Sequence, residues 1–515
     1  MFPLLVLAAL VPRPVWTGPG ATHLGAVSQD GRYLTGVDPA TGQLLLRDTE
    51  TNTESRLGEA LPKQFAYFSA ISPDAASIAY AYFNEQGYYE LRLSGRSSSK
   101  VLFSNEEAGF VQPCAFRPDG KQILTLLFRK DNISQIALIS TETGGLKVLK
   151  SLNWVYPKRM DFSPDGRWIV YDNFAQDGVP QRDIFLLSAD GAKETRLVSG
   201  PSEDVFPFFS RDGRRVYYAS DQALRSVDVE TRKSKEVAAN LGRFLPLGIS
   251  KSGTIYYAIR TGATNVYRGG IDLATAKLTT KPELLGEGAS AVFSPDGKSI
   301  AWLARRATEN FGVDARYIAV ARDGPPRILT PKLAHIESIA WTPDGRSLLA
   351  SGSDAKARGG VYRIDALSGE LTPLQAETGA PYKGYPAAGN YFARDGDLFK
   401  FGEEKAVYSG SHRIEAIAAS FDGKSAAVSD GRDVTVIKAR TIEGFGSFLQ
   451  WTPDGKKLLL ARNDEIWLAP VDDGTSLRVA KTAAAIESLS LHPNGGEILF
   501  TAGRAKSEIW AIDVE

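Results

Sequence analysis

Residues 163–171 read SPDGRWIVY, a turn-forming tetrad followed by an aromatic and aliphatic run. In the tetrad, proline presets the backbone for a type I turn, aspartate suits the third position, and glycine accepts the left-handed conformation at the fourth. A turn of this kind connects two antiparallel strands through a bulge. The stretch therefore predicts a β-hairpin whose second strand begins at Trp168.

The same tetrad recurs from one end of the chain to the other. Clear copies begin at Arg117, Ser163, Ser294, Thr342 and Thr452, and weaker copies begin at Ser28, Ser72, Ser210, Ser250, Arg394, Ser420 and His492. The mean spacing of these twelve copies is about 42 residues. Two further strand-like runs follow each hairpin, as in Ile184–Leu187 and Lys193–Val198. Four antiparallel strands in a repeat of this length are typical of a β-propeller blade.

The tetrad, the aromatic strand after it and third-strand phrases such as IFLLSADG at residues 184–191 resemble the repeats of TolB-like and WD-repeat-like propellers. The resemblance covers residues 14–515. It implies an all-β fold and, for chains of this type, a location outside the bacterial cytoplasm. It is not informative about function, because propeller blades are scaffolds in many unrelated proteins.

Twelve blades exceed the four to eight of a single propeller. We therefore predict two tandem six-bladed propellers of four-stranded antiparallel blades, with the first at residues 14–275 and the second at 276–515.

Each ring must close, since an open ring exposes an unpaired strand edge. We expect Pro14–Gly18 to complete the blade anchored at Ser252, and Lys281–Gly286 to complete the blade anchored at Asn494. In this scheme Glu508–Val514 is the third strand of the last blade.

The composition excludes several classes of protein. Lys plus Arg number 60 and Asp plus Glu number 60, so the net charge gives no basis for binding nucleic acid or an anionic membrane. One cysteine and four histidines exclude a disulfide framework and make a metal centre hard to build. Neither a complete P-loop nor a dinucleotide-binding fingerprint occurs. We expect no cofactor, no metal and no stable membrane insertion of the propellers.

Residues 1–13 carry an apolar run, Phe2–Val11, that has half of the ~20 residues needed to span a bilayer. Three interpretations remain open: an atypical export signal, a truncated membrane anchor, or a buried first strand. The run and the resemblance together lead us to expect a periplasmic or otherwise extracytoplasmic location in a bacterium.

Segments that precede the first strands of three blades carry aromatic residues beside charges. In a propeller these segments cross one face towards the central channel. Aromatic and Arg side chains on a rigid rim have the composition of an interaction hot spot. The alternative is that the rings wedge between adjacent blades. The candidate partner-binding residues are Trp154, Tyr156, Arg159, Glu203, Asp204, Phe206, Arg243 and Phe244.

Two functional hypotheses follow. The first is a non-enzymatic, monomeric scaffold or sensor that binds a protein or peptide, such as an envelope or signalling component, on one propeller face. The second is a hydrolase or lyase with a site at the channel mouth built from carboxylates such as Asp172, Glu203 or Asp204. We assign no catalytic residue, because no Gly-x-Ser-x-Gly elbow occurs and no hydrolase domain of the prolyl-oligopeptidase type follows the blades in this sequence.

Overall fold

The structure is a computed structural model that describes residues 11–514 apart from 23, 62–63, 87, 96–98, 132, 153–155, 175–180, 243, 262–263, 305–316, 323, 355–357, 379–383, 446–447 and 504–505. Within these described ranges every regular element is a β-strand, as predicted. The chain forms two compact units. Unit 1 contains Met1–Thr261 and Lys506–Glu515, and unit 2 contains Gly262–Ala307 and Gly312–Ala505. From the sequence we place the division at 275/276 and the C-terminal strand in the second propeller.

Unit 1 has six antiparallel sheets among its described residues. In order they are β2–β4, β5–β8, β9–β12, β13–β16, β17–β20 and a closing sheet in the order β21-β22-β47-β1. The strands, numbered in chain order, are β1 (Arg13–Trp16), β2 (Tyr33–Val37), β3 (Leu44–Asp48), β4 (Thr53–Leu57), β5 (Phe65–Ile71), β6 (Ile78–Phe83), β7 (Tyr89–Ser94), β8 (Ser99–Phe103), β9 (Phe110–Phe116), β10 (Gln122–Phe128), β11 (Ser134–Ser140), β12 (Leu146–Leu152), β13 (Met160–Phe162), β14 (Trp168–Phe174), β15 (Arg182–Ser188), β16 (Glu194–Val198), β17 (Asp204–Phe209), β18 (Arg215–Ser220), β19 (Ala223–Asp228), β20 (Ser234–Ala238), β21 (Phe244–Ile249), β22 (Thr254–Thr261) and β47 (Lys506–Asp513).

Unit 2 also forms six blades in its described part. They are β25–β28, β29–β32, β33–β36, β37–β40, β41–β44 and a closing blade in which β45, β46, β23 and the start of β25 lie side by side. The strands are β23 (Asn265–Asp272), β24 (Lys277–Leu278), β25 (Glu283–Phe293), β26 (Ile300–Ala304), β27 (Tyr317–Ala321), β28 (Arg327–Leu329), β29 (Leu333–Trp341), β30 (Ser347–Asp354), β31 (Arg358–Asp365), β32 (Leu371–Thr378), β33 (Ala387–Ala388), β34 (Tyr391–Arg394), β35 (Asp397–Lys400), β36 (Tyr408–Ser409), β37 (Ala416–Ala419), β38 (Ala426–Ser429), β39 (Val434–Val436), β40 (Thr441–Ile442), β41 (Phe448–Trp451), β42 (Lys457–Arg462), β43 (Glu465–Pro470), β44 (Leu477–Lys481), β45 (Ile486–Leu491) and β46 (Glu497–Ala502).

The hydrophobic core of each unit lies between consecutive blades. One cluster of unit 1 joins Leu34 of the first blade to Ile255 of the closing blade. In unit 2 a cluster joins Phe293 of the first blade to Leu499 of the closing blade. Each unit therefore closes on itself, and each is a six-bladed β-propeller.

The tetrads form turns between the first and second strands, except for the copy at Arg394, which lies between β34 and β35, the second and third strands of its blade. In the copy at Ser294, Gly297 has a φ of 71°. The Ser294 hydroxyl donates to Asp296 Oδ1 at 2.6 Å and accepts from the backbone N–H of Ser299 at 2.9 Å. Asp296 also accepts from the Lys298 N–H at 3.1 Å. The hydrogen bond from Ser294 and that from Lys298 lower the pKa of the Asp296 carboxyl. The aspartate therefore fixes the turn as an ionised acceptor.

The third strand of each closing blade is not the one that we predict, and this corrects part of our strand assignment. Strand β47 pairs with β22 from Thr254↔Asp513 to Thr261↔Lys506, and β1 pairs with the outer side of β47. The N-terminal strand thus completes the blade anchored at Ser252, as predicted. The assignment of Glu508–Val514 to the last blade of the second propeller is wrong, because these residues lie in the first propeller.

In the closing blade of unit 2 the third position belongs to β23, which pairs with β46. The start of β25 takes the fourth position, from Asn265↔Glu287 to Arg268↔Glu283, close to where we expect Lys281–Gly286. Unit 2 is therefore inserted into unit 1, between the second and third strands of its closing blade.

We predict that two equivalent core truncations destabilise different units. Ile512 of β47 and Ile498 of β46 are both fully buried. Replacing a buried Ile by Ala costs ~2–5 kcal/mol. Ile512→Ala should therefore lower amide hydrogen-exchange protection in β21 and β22, whereas Ile498→Ala should lower it in β23 and β45. Loss of protection in unit 2 alone upon Ile512→Ala would contradict the assignment of β47 to unit 1.

Candidate binding face of unit 1

One face of unit 1 carries the side chains that are candidates for binding or catalysis. In each four-stranded blade the first strand begins, the second ends and the third begins at the same end of the sheet, whereas the tetrad turns lie at the opposite end. We call the first of these ends the loop face. Connections on a rigid scaffold are where propellers and other β-folds usually bind their ligands.

The structure places the predicted partner-binding residues in three different environments. Trp154 and Arg243 lie outside the described residues. Phe244 is only 1% exposed and packs edge-on against Tyr257, with ring centroids 5.8 Å apart. Phe244 is therefore a core residue, as in the alternative in which the rings wedge between blades, and its ring is not exposed for a partner to contact. Tyr156 and Phe206 are partly exposed.

Asp172 is buried and organises the segment before β13. Its carboxylate accepts from the backbone N–H groups of Lys158 and Arg159, each at 3.1 Å, and pairs with Arg182 at 2.8 Å. The Arg182 guanidinium also donates to the carbonyl of Tyr156 at 3.0 Å. A buried carboxylate with this many donors is a structural anchor. Asp172, through Arg182, thus holds Tyr156 in place.

Arg159 connects two blades that are not neighbours. From the segment before β13 its guanidinium donates to the carbonyls of Pro246 and Leu247 in β21, at 3.0 and 2.6 Å. Its carbon Cζ lies 5.9 Å from the ring centroid of Phe208 in the blade between them. Burial lowers the pKa of this guanidinium, and the nearby carboxylate of Asp161 opposes the effect. Arg159 therefore ties the ring together, and its donors are directed inward.

The other two predicted acids differ in environment. Lys158 Nζ lies 3.7 Å from Glu203 Oε1 at the edge of the loop face. Asp204 is only 4% exposed. Burial raises the pKa of Asp204 to about 6, although a hydrogen bond from Ser220 and the charge of Arg225 act in the opposite direction. The pKa of Asp204 thus lies closer to neutral pH than the ordinary value of an aspartate.

The single thiol gives no nucleophile. Burial raises the pKa of Cys114 to about 12, and the thiol is therefore protonated at neutral pH. Among the described residues no group of three or more His, Cys, Asp and Glu side chains is placed to bind a metal ion. The described part of the chain also contains no helix with the length and apolar character required to cross a membrane.

Six aromatic residues that the sequence analysis did not select form a continuous cluster on the loop face. Each is partly exposed. They come from the starts of β5, β7 and β9 and from the end of β6. We call the cluster the aromatic strip; its members are Phe65, Tyr67, Phe68, Phe83, Tyr89 and Phe110.

The ring contacts arrange the strip in two rows of three. One row runs from Phe83 to Tyr89 to Phe110, with centroid distances of 5.1 and 4.7 Å. The second row runs from Phe65 to Tyr67 to Phe68, with distances of 6.3 and 4.9 Å. Contacts of 5.1–6.2 Å connect the rows. The strip is therefore an elongated surface.

The strip leads towards a residue that the sequence did predict. Phe110 lies directly opposite Phe128 in the pairing of β9 with β10. Phe128 in turn contacts Tyr156, with ring centroids 6.1 Å apart. Aromatic side chains thus follow the loop face from the second blade to the fourth.

A β-bulge presents part of the strip. The register of β5 against β6 shifts between Ala66 and Ser69, around Tyr67 and Phe68. The same shift occurs in β17 around Phe206, whose φ is 56°. Bulges commonly redirect side chains near functional sites. In three later blades we select segments with aromatic residues next to the start of a first strand. The same criterion applied to β5 selects Phe65–Phe68, and it could have found this part of the strip.

Comparison with known proteins agrees with the fold. The family described as WD domain, G-beta repeat matches residues 327–358. This range runs from β28 to the first residue of β31 and thus spans the junction between two blades. The chain is a β-propeller protein by its fold, and over these residues it is similar to the WD repeat, as the tetrad repeat predicts.

Two fungal peptidases are among its relatives. Dipeptidyl peptidase 4 of Trichophyton rubrum is 26% identical over 209 residues, which are 35% of this chain and 25% of that protein. Dipeptidyl-peptidase 5 of Trichophyton schoenleinii is 38% identical over 85 residues, which are 16% of this chain and 11% of that protein. The match therefore spans a quarter or less of these relatives.

Similar solved structures include two TolB proteins. That from Agrobacterium tumefaciens has a TM-score of 0.37 and 23% identity, and covers 44% of this chain and 83% of its own. That from Acinetobacter baumannii has a TM-score of 0.26 and 16% identity, and covers 67% and 80%. An oligogalacturonate lyase from Vibrio parahaemolyticus has a TM-score of 0.35 and 14% identity, and covers 69% and 91%.

We predict that Asp204→Asn stabilises the protein at neutral pH. The pKa of Asp204 is raised to about 6 from 3.8, so the folded state binds more protons than the unfolded state between these values. The free energy of unfolding therefore falls as the pH rises from about 4 to about 6, by an amount on the order of 2 kcal/mol.

The variant should lack this loss, and its advantage over wild type in urea unfolding should be larger at pH 8 than at pH 4. Asp212→Asn is the matched control, because hydrogen bonding to Ser210 lowers the pKa of this carboxyl in a tetrad turn. A stability difference for Asp204→Asn that does not change with pH would refute the assignment.

Proposed function

We propose that this protein is a non-enzymatic scaffold that binds a protein or peptide partner on the loop face of unit 1. The observation that carries the proposal is the aromatic strip. Six partly exposed rings form a contiguous aromatic patch, and contiguous exposed apolar patches mark interaction sites in soluble proteins. Tyr and Phe rings also supply contact area at a low cost in side-chain entropy.

Polar contacts at the fourth blade of the same loop face support the same interpretation. Asp172, Arg182 and Arg159 use their charges on backbone groups within unit 1. A surface held in this way requires little ordering when a partner binds, and this favours affinity. The apolar run Phe2–Val11 supports an extracytoplasmic location for this activity.

A second candidate is hydrolysis at the loop face, which the partial likeness to dipeptidyl peptidases favours. Asp204 is the carboxyl best suited to acid–base chemistry there, because its pKa is about 6. Incubation with a chromogenic dipeptide substrate tests this candidate. We expect no release of the chromophore. Turnover that Asp204→Asn abolishes would replace the scaffold proposal.

We predict that a photo-crosslinking residue in the strip captures a partner. Benzoylphenylalanine would replace Tyr89 or Phe110 in the full chain, and the protein would be irradiated in an extract of the organism that produces it. We expect discrete adducts at both positions. The control position is Phe421, which is 40% exposed in a tetrad turn of unit 2.

The same adducts at Phe421, or none at the strip, would remove the strip as the binding site. Mass spectrometry of the adducts identifies the partner and the segment of it that contacts the ring. Wild-type protein added in excess should suppress the adducts, since it competes for the same partner.

A further inference from the structure

We propose that the aromatic strip recognises an extended polypeptide segment that carries Arg or Lys between apolar residues. This inference deepens the proposed function and rests on it. It concerns the chemistry of the partner, and three features of the loop face support it: the shape of the strip, the charges beside it and an internal example of the same contact.

The shape favours an elongated ligand. The strip is two rings wide and three rings long, with steps of 4.7–6.3 Å between centroids along its rows. Alternate side chains of an extended chain lie on one side and are ~6–7 Å apart. Successive side chains on the side of such a segment that faces the strip can therefore contact successive rings.

The charges beside the strip favour a cationic ligand. Six charged side chains come from the connection between β6 and β7, the segment before β9 and the start of the β10–β11 connection. Arg129 pairs with Asp131 at 2.9 Å, and Lys130 pairs with Glu106 at 3.0 Å. Glu85 and Glu107 add two further exposed carboxylates, so acidic side chains outnumber basic ones in the described part of this region. A surplus of negative charge attracts Arg and Lys and repels acidic partners.

The protein itself uses the proposed contact at the same face. The Cζ atom of Arg182 lies 4.9 Å from the ring centroid of Phe174, where β14 ends. A guanidinium within about 6 Å of an aromatic ring is attracted by the negative face of the ring. The partly exposed rings of the strip can receive a partner's cation in the same manner, with Glu85 or Glu107 as the second contact.

Fluorescence anisotropy with defined peptides tests the proposal. Three labelled 12-residue peptides repeat Leu-Leu-Arg-Arg, Leu-Leu-Ser-Ser or Leu-Leu-Glu-Glu, so that each side of the extended segment carries both residue types. Each is titrated with the full chain at low salt. We expect the Arg peptide to bind at least about tenfold more tightly than the Glu peptide. The Ser peptide should bind with intermediate affinity, since it retains only the apolar contacts.

Two double variants separate the rings from the charges. Tyr89→Ala with Phe110→Ala should weaken binding of the Arg peptide by about tenfold or more. Glu85→Gln with Glu107→Gln should weaken it by about threefold to tenfold, and should reduce both its preference over the Ser peptide and its salt dependence. The glutamine variant retains the shape of exposed side chains, so its folding is not at risk.

Matched controls lie in unit 2. Glu403→Gln with Glu404→Gln removes two exposed carboxylates, and Phe421→Ala removes an exposed ring. Neither should change the affinity for the Arg peptide by more than about twofold. Circular dichroism melting of every variant shows that the propellers remain folded.

Several results would overturn the proposal. Equal affinity for the Arg and Glu peptides would exclude charge recognition, and unchanged affinity of the Tyr89/Phe110 variant would exclude the strip. Binding of phosphatidylcholine vesicles that this variant loses would assign the strip to lipid instead. If crosslinks at the strip persist while the Arg peptide shows no preference, the scaffold function stands and the partner chemistry proposed here is wrong. If both fail, the loop face is not the binding site.

Discussion

The need to cover the apolar face of every blade in a closed ring determines the architecture of this protein. A blade packs on its neighbours through a core that lies between sheets, so a ring that fails to close exposes both a sheet edge and an apolar sheet face. Here the first and last blades of each unit share a cluster that includes Leu34 and Ile255 in one case and Phe293 and Leu499 in the other. Closure thus follows from side-chain packing between blades that are far apart in the sequence.

Closure also explains why the two units are nested. Strand β47 returns from the end of the chain to lie beside β22, and β23 occupies the equivalent place beside β46. Polar contacts distinguish the two pairings: Thr254 donates to Asp513 at 2.6 Å, whereas Arg268 pairs with Glu497 at 2.6 Å. The folding of unit 1 therefore requires residues that are synthesised after the whole of unit 2. Until then β22 can pair with β21, but its other edge lacks β47.

These features mark the limit of what the sequence predicts. Each tetrad is local: Ser294, Asp296 and Gly297 specify a turn without help from distant residues, so the number of blades and the positions of their hairpins could be read directly. The second strand with which a third strand pairs is not determined by residues near it in the sequence. The segments Asn265–Asp272 and Lys506–Asp513 have similar patterns, and only tertiary contacts decide which of them joins Thr254–Thr261.

The candidate site shows the same division. Aromatic residues near the starts of first strands point to the loop face and to Tyr156, which is partly exposed there. The sequence could not show that Phe244 is buried or that Arg159 and Asp172 bind backbone groups. Nor could it bring Phe83, Tyr89 and Phe110 together, because they belong to three strands in two blades. The charged residues that seemed suited to binding hold the face rigid, and the rings that the sequence disperses form its surface. Rigidity and exposure thus reside in different residues, and a face of this kind can vary its aromatic surface without disturbing the ties that keep the ring closed.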